Sequence, residues 1–311
     1  MAHNCKDGSE SRKGGTRTSA FGTSGRVNHD ASAFYGSRLY VDQELPEPDR
    51  WVENPIPAEN LDRLYCASSI DMSAIPDDSI HLMVTSPPYN AKKEYDEDLS
   101  LAEYRELLYA VFAETYKKLV TGGRACINIA NLGRKPYIPL HSYIIEDMLA
   151  IGYHMRGEII WDKASSAGSS TAWGSWLSAA NPVLRDVHEY ILVFSKDSFS
   201  RKRDDKENSI SKADFLEWTK SVWTFSAVSA KRIGHPAPFP EELPHRLIQL
   251  YTFVGDVVLD PFCGSGTTCL SALKSGRHYI GYDIEAKYIE LANERINRYT
   301  DQMRLPIVGA G

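Results

Sequence analysis

The feature that most restricts the fold lies near the end of the chain, in the stretch "VVLDPFCGSGTTCLSALKSGRHYIGYD" (257–283). Two short apolar runs, "VVLD" (257–260) and "HYIGYD" (278–283), read as buried strands. Between them a glycine loop opens a helix at Thr267. Strand, helix and strand in so short a span make a βαβ unit, whose strands must run parallel in one sheet. An all-helical or purely antiparallel fold is thereby excluded for this part of the chain.

The rest of the sequence repeats the alternation. "RLYCAS" (63–68), "SIHLMV" (79–84), "RACINIA" (124–130), "HMRGEIIW" (154–161) and "HEYILVFS" (188–195) read as strands. Leu101, Tyr104, Leu108, Val111, Phe112 and Leu119 recur at helical spacing, and "TGG" (121–123) reads as the end of that helix. Further helices are expected over 138–151, about 241–252 and 285–299. The expectation is a doubly wound, mostly parallel, seven-stranded α/β sheet of Rossmann-like type. Two aperiodic stretches interrupt it: 163–187, rich in Ser, Ala, Gly and Trp, and 196–233, basic and carrying Trp218, Trp223 and Phe225. Loops of that length commonly carry function. Trp218 and Trp223 themselves are expected to pack on the body of the protein.

At 42% hydrophobic and 24% charged residues, the 311-residue composition is that of a soluble globular protein. No apolar stretch approaches the ~20 residues needed to span a bilayer, and "MAHNCKDGSESRKGG" has no apolar core that would make a secretory signal. Five cysteines without a CxxC spacing favour neither a disulfide framework nor a zinc site, and a reducing cytoplasm fits them. No metal site is expected. Net charge is −6, but residues 1–40 and 195–233 each carry a net +3, compatible with local contact to nucleic acid or with solvated loops.

"TSPPYN" (85–90) stops an apolar strand with a hydroxyl, two prolines and a tyrosine. Neither proline donates to a sheet ladder, and each drives its predecessor to extended geometry. The result is a stiff loop at a strand's carboxyl end. The second candidate site is "LDPFCGSGTT" (259–268), where Gly264 and Gly266 allow close approach to the backbone and the helix N-terminus at Thr267 offers N–H groups. Asp283 ends the next strand, where an acid can hold ribose hydroxyls. A nicotinamide dehydrogenase would want a third glycine where the chain has Cys269, and Asp260 would repel a pyrophosphate. A cationic nucleoside cofactor such as S-adenosylmethionine suits that acid better.

TSPPY combined with DPFxGSGTT resembles the DNA amino-methyltransferases, in the beta group that places the catalytic half before the cofactor half. The resemblance covers about residues 62–299 and includes "IPDDSIHLMV", "EIIWDK", "HEYILVFSK" and "GYDIEAKYIELANERI". It implies a domain order of disordered tail (1–24), N-terminal element closing over the active site (25–61), catalytic half (62–195), small target-recognition insert (196–233), cofactor half (234–299) and C-terminal tail (300–311). By position in the motifs it implies that Ser86, Pro87, Pro88 and Tyr89 form the catalytic loop. Asp260, Pro261, Phe262, Gly264, Gly266 and Thr267 would surround the methionine part of S-adenosylmethionine, and Asp283 would hold its ribose. Arg201, Lys202, Arg203 and Arg232 are the candidate DNA contacts. The family's Gly-Asp pair before the loop is replaced by Ala67-Ser68, leaving Asp71 as a displaced substitute, and "GHPAPFP" has Ala237, Pro238 and Phe239 where a Thr-Gln-Lys run is usual, which leaves His235 as a loop residue.

Ser86 at the head of the loop is typical of cytosine-N4 members, with adenine-N6 methylation as the alternative. The Ser86 hydroxyl and the Pro87 carbonyl would accept the two N–H bonds of an amine on a base flipped out of duplex DNA, with Tyr89 stacked on it. Cytosine-C5 chemistry needs a Pro-Cys nucleophile, and none of the five cysteines follows a proline. A non-catalytic DNA-binding protein is the remaining alternative. Duplex DNA, a homodimer and a cognate restriction endonuclease are the partners implied.

Overall fold

The computed structural model describes residues 38–41, 48, 51–88, 99–133, 135–163, 174–227 and 239–304. Tyr89, Arg232 and His235 lie outside the described residues. The chain divides into two compact units, Met1–Pro46 and Glu47–Gly311. In the first, the described residues form a single helical turn, α1 (Arg38–Val41).

Among the described residues, the second unit carries eight strands: β1 (Arg63–Cys66), β2 (Ile80–Thr85), β3 (Leu119–Ile129), β4 (His154–Asp162), β5 (His188–Ser195), β6 (Val222–Thr224), β7 (Val257–Asp260) and β8 (His278–Asp283). Their order across the sheet is β1-β8-β7-β2-β3-β5-β4-β6. Every neighbouring pair is parallel except the two that involve β5. The helices of this unit are α2 (Leu101–Lys118), α3 (Leu140–Ile151), α4 (Lys212–Trp218), α5 (Glu242–Tyr251), α6 (Thr267–Lys274) and α7 (Ala286–Arg304).

The strands' side chains divide between two faces, and in β2 the bulge between Ile80 and Leu82 interrupts the alternation. Ile80 and Met83 of β2 join a core that includes Leu108, Val111 and Phe112 of α2 and Ile144 and Met148 of α3. Leu82 and Val84 join the opposite core, with Leu243 and Leu247 of α5, Leu270 of α6 and Ile289 of α7. The sheet is therefore wound on both faces, as its alternating sequence predicts. Among the described residues, no helix is long and apolar enough to cross a membrane.

Two sequence expectations are corrected. Thr121-Gly122-Gly123 does not end α2. The helix begins at Ser100, whose hydroxyl and Glu103 form a capping box, and stops at Lys118. The glycines instead belong to β3, where Gly122 has φ +75° and a Cβ would meet the Ser200 carbonyl oxygen. That local kink lets the register slip between Ile80↔Leu119 and Leu82↔Arg124. The sheet also has eight strands rather than seven. The extra one, β6, comes from the 196–233 segment and pairs with β4 through Trp161↔Trp223. Trp223 is buried, its indole N–H donates to the Trp218 carbonyl at 3.1 Å, and Arg246 lies over both indoles and Phe225. The two tryptophans pack on the body, as expected.

Candidate active site

Strand order fixes where a ligand can sit. From the central pair β2–β7 the chain proceeds outward in opposite directions, β2 to β3 and β7 to β8. The carboxyl ends of such a pair leave a crevice between diverging connections, the usual ligand position in an open α/β sheet. TSPPY follows β2 and the glycine loop follows β7, so two motifs far apart in sequence flank one crevice.

The two strand tips are joined directly. Thr85 Oγ1 donates to Asp260 Oδ1 at 2.7 Å, and the Phe262 N–H reaches the same oxygen at 3.1 Å. Asp260 is fully buried, and that burial raises its carboxyl to about 6, with the Thr85 and Thr268 hydroxyls opposing the rise. Asp260 therefore clamps β2 to β7, and at least one of its oxygens is committed to the protein. Ser69, just beyond β1, donates its hydroxyl to the Pro261 carbonyl at 2.8 Å.

On the β2 side, Ser86 is half-buried and Pro87 buried. The Tyr104 hydroxyl of α2 donates to the Pro88 carbonyl at 2.7 Å and anchors the far end of the double proline. Asn128 of β3 approaches Ser86 Oγ with Nδ2 at 3.5 Å and donates from the same nitrogen to Glu189 of β5 at 2.6 Å. The other Glu189 oxygen pairs with Lys163, at the end of β4. Sequence reasoning missed Thr85, Tyr104, Asn128, Lys163 and Glu189. The available signal was a polar residue inside an apolar run, Asn128 in "CINIA" and Glu189 in "HEYILVFS".

On the other side, Gly264 and Gly266 take left-handed backbone, at φ +48° and +73°. A Cβ on Gly266 would lie 2.7 Å from that of Ala292, so α7 approaches the loop too closely for a side chain. Arg295 of α7 donates to the Ser265 carbonyl, to Ser265 Oγ at 3.0 Å and to Thr267 Oγ1 at 3.1 Å, fixing the loop from behind. Asp283 accepts one backbone N–H on each oxygen, from Gly264 and from Glu285, both at 2.9 Å. Burial raises its carboxyl above the ordinary range, and those two N–H groups oppose the rise. A carboxylate has about four acceptor positions, so two further donors can be taken by this one. That donor demand fits the adjacent hydroxyls of a ribose. Asp71 is exposed and accepts the Ser73 N–H at 2.9 Å, closing its own turn.

The expected DNA-binding arginine is elsewhere. Arg201 forms two bonds to Asp256, at 2.6 and 3.2 Å, and lies over the Phe253 ring. Asp256 precedes β7, so this pair sits at the amino end of the sheet, opposite the crevice. Lys202 lies over Trp51, and Arg203 Nε reaches the Lys206 carbonyl at 3.4 Å. Asp256 also groups with His81 and Glu53, a set with metal-ligand spacing. The set is an ion-pair cluster: Lys206 contacts both carboxylates, at 2.5 Å to Glu53 and 3.3 Å to Asp256. His81 Nδ1 accepts the Val257 N–H at 2.9 Å, which leaves the proton on Nε2, 2.9 Å from Glu53. That close contact with His81 is the main cause holding the Glu53 carboxyl at about 2, with burial opposing it.

Residues 80–294 match the family model described as DNA methylase. The type II methyltransferase M.MthZI of Methanothermobacter thermautotrophicus is 34% identical over 76% of this chain and 76% of that protein. M.MjaI of Methanocaldococcus jannaschii, also a type II methyltransferase, is 33% identical over 72% of this chain and 88% of its own length. Among solved structures, Thermus thermophilus TTHA0409 complexed with S-adenosyl-L-methionine superposes with TM-score 0.62 at 29% identity, covering 76% of this chain and 93% of that one. PvuII DNA methyltransferase, a cytosine-N4-specific enzyme, shares the fold at 20% identity, with TM-score 0.60 over 82% of this chain and 96% of that one.

Proposed function

This chain belongs to the DNA methylase family, and from that membership we propose that it transfers a methyl group from S-adenosyl-L-methionine to the exocyclic N4 amine of a cytosine flipped out of duplex DNA. The observation that carries the reading is the Ser86-Pro87-Pro88 loop, held at the switch-point crevice by the Tyr104 bond to Pro88 and flanked by Asn128.

An exocyclic amine is a poor nucleophile because its lone pair is delocalised into the ring. Ser86 Oγ and the Pro87 carbonyl accept its two N–H bonds, turning the nitrogen pyramidal and exposing that pair. The double proline and its Tyr104 anchor keep the two acceptors from adjusting to a planar amine, so positioning supplies most of the acceleration. Tyr89, assigned by its place in the motif, stacks on the extruded ring. When bound, the cofactor supplies an electrophilic methyl group on a sulfonium. Asp283 holds the ribose hydroxyls, while Phe262, Gly264, Gly266 and Thr267 enclose the remainder. Asp260 and Pro261 shape that wall from β7, with the Asp260 charge favouring a cation.

Serine as the first loop residue supports cytosine over adenine. The DNA contact proposed is Arg232, since Arg201 is held by Asp256 and Lys202 and Arg203 follow it at the same amino end of the sheet, away from the Ser86 loop. The type II relatives support a restriction endonuclease of the same specificity as partner, and the working protein is proposed to be a cytoplasmic homodimer. Methylation-aware sequencing of DNA from cells expressing the chain tests the reading and yields the recognition site. N4-methylcytosine at one short sequence is expected; N6-methyladenine there would overturn the choice of base.

A further inference from the structure

The connection between β4 and β5 is longer than the sheet requires. Two antiparallel strands can be joined by a few residues, yet this one runs from Lys163 to Val187, whose backbones meet again at 2.8 Å. Residues 174–187 of it are described. Gly174 pairs with Pro182 as an antiparallel bridge, the Ser175 N–H donates to the Asn181 carbonyl at 2.8 Å, and the Asn181 N–H donates to Ser175 Oγ at 2.8 Å. Ser175 Oγ also donates to the Ser178 carbonyl at 2.8 Å. These bonds close a built turn that presents apolar side chains to water: Trp176 is 65% exposed and Leu177 89%. Leu177 holds φ +49°, a left-handed backbone that leucine seldom adopts. A strained leucine held in water points to contact with something outside the fold.

Position, charge and chemistry agree on the occupant. The stems leave the sheet at the carboxyl end of β4, the edge that also carries Ser86. Lys163 and Glu189 on the two stems are paired with each other, and Asn128 links Glu189 to Ser86. From Ala164 to Leu184 there is no charged residue of either sign, in a chain with 35 Lys and Arg and 41 Asp and Glu. A tip without charge is not repelled by phosphates and buries no charge between bases. Extruding a base leaves a gap in the stack, and inserted apolar side chains are a known means of holding a duplex unstacked.

We infer that the Trp176–Leu177 tip is a wedge that enters duplex DNA beside the target base and fills the space the base vacates. This rests on the base-flipping reading above. The test compares two duplexes carrying the site found by sequencing, one fully paired and one with an abasic position opposite the target base. Leu177→Ser should slow single-turnover methylation of the paired duplex at least ~10-fold and that of the abasic duplex by no more than about twofold, because only the first must be unstacked against pairing. Its melting temperature and its calorimetric affinity for S-adenosylmethionine should match those of the unsubstituted protein. Equal slowing on both duplexes, or on neither, overturns the wedge. A changed oligomeric state in sedimentation also overturns it, by making the tip a contact between copies. An unsubstituted chain that methylates neither duplex brings down the flipping reading itself, and the wedge with it.

Discussion

Replacing Asp260 by asparagine tests whether the clamp between the central strands is paid for with a buried charge. The carboxyl is fully buried and raised from an ordinary 3.8 to about 6. The folded state therefore holds the proton to higher pH than the unfolded chain does. Between about pH 4 and pH 6 the folded form binds more protons, so stability falls as pH rises through that window and stays level above it. At 1.36 kcal/mol per pH unit, the ionised carboxyl costs about 3 kcal/mol above pH 6. Asparagine keeps an oxygen that can accept from Thr85 and from the Phe262 N–H, and its amide nitrogen can donate to the Thr268 hydroxyl. The Asp260→Asn protein should therefore gain about 3 kcal/mol relative to the unsubstituted one between pH 4 and pH 7. Urea unfolding at pH 4.5, 6 and 7.5 measures this as the pH dependence of the difference, which is insensitive to small packing changes. A difference that is constant with pH would refute the reasoning, since the carboxyl would then titrate alike in both states.

Ser86→Ala should leave the melting temperature and cofactor affinity unchanged while lowering the single-turnover rate roughly 100-fold, the scale for losing one preorganised hydrogen bond at a reacting group; near-normal turnover would remove Ser86 from the mechanism. Asp283→Ala should raise the calorimetric dissociation constant for S-adenosylmethionine about 10-fold or more, because hydrogen bonds to a charged group are worth roughly 1.5–3 kcal/mol. Arg201→Ala should lower stability in urea by about 3–5 kcal/mol by leaving the buried Asp256 without its main partner. The salt dependence of DNA binding should be unchanged in that variant, and a slope flattened by about one unit would restore Arg201 to a phosphate contact.

The cofactor half of the sheet was legible because each signal there is local. Strand β7, the glycine loop, α6 and β8 follow one another without interruption, and each is announced by its own residues. Strand β6 was not legible, since Val222-Trp223-Thr224 is too short to show a period and takes its burial from β4. The support of the Ser86 loop was hidden for another reason. Asn128 and Glu189 come from β3 and β5, 61 positions apart, and only the antiparallel pairing of those strands brings them together behind Ser86. Arg201 misled because a run of three basic residues reads as surface, while its partner Asp256 lies 55 positions away as an isolated acid.

On the proposal that 196–233 recognises DNA, the pairing of β6 with β4 limits how a new specificity can be acquired. If 196–233 were a pendant loop, it could be exchanged between relatives as a cassette. Here its removal would strip the outer neighbour from part of a nine-residue strand and expose Trp161 and Arg246, which Trp218, Trp223 and Phe225 cover. An unprotected strand edge of that kind is a template for self-association. Grafts that carry Ser221–Phe225 with the insert, or that leave this stretch in place and vary only what precedes it, should give soluble chimaeras, whereas cuts inside it should give aggregates. The joint of the segment thus lies within the sheet, and exchange is confined to residues before Ser221 and after Phe225.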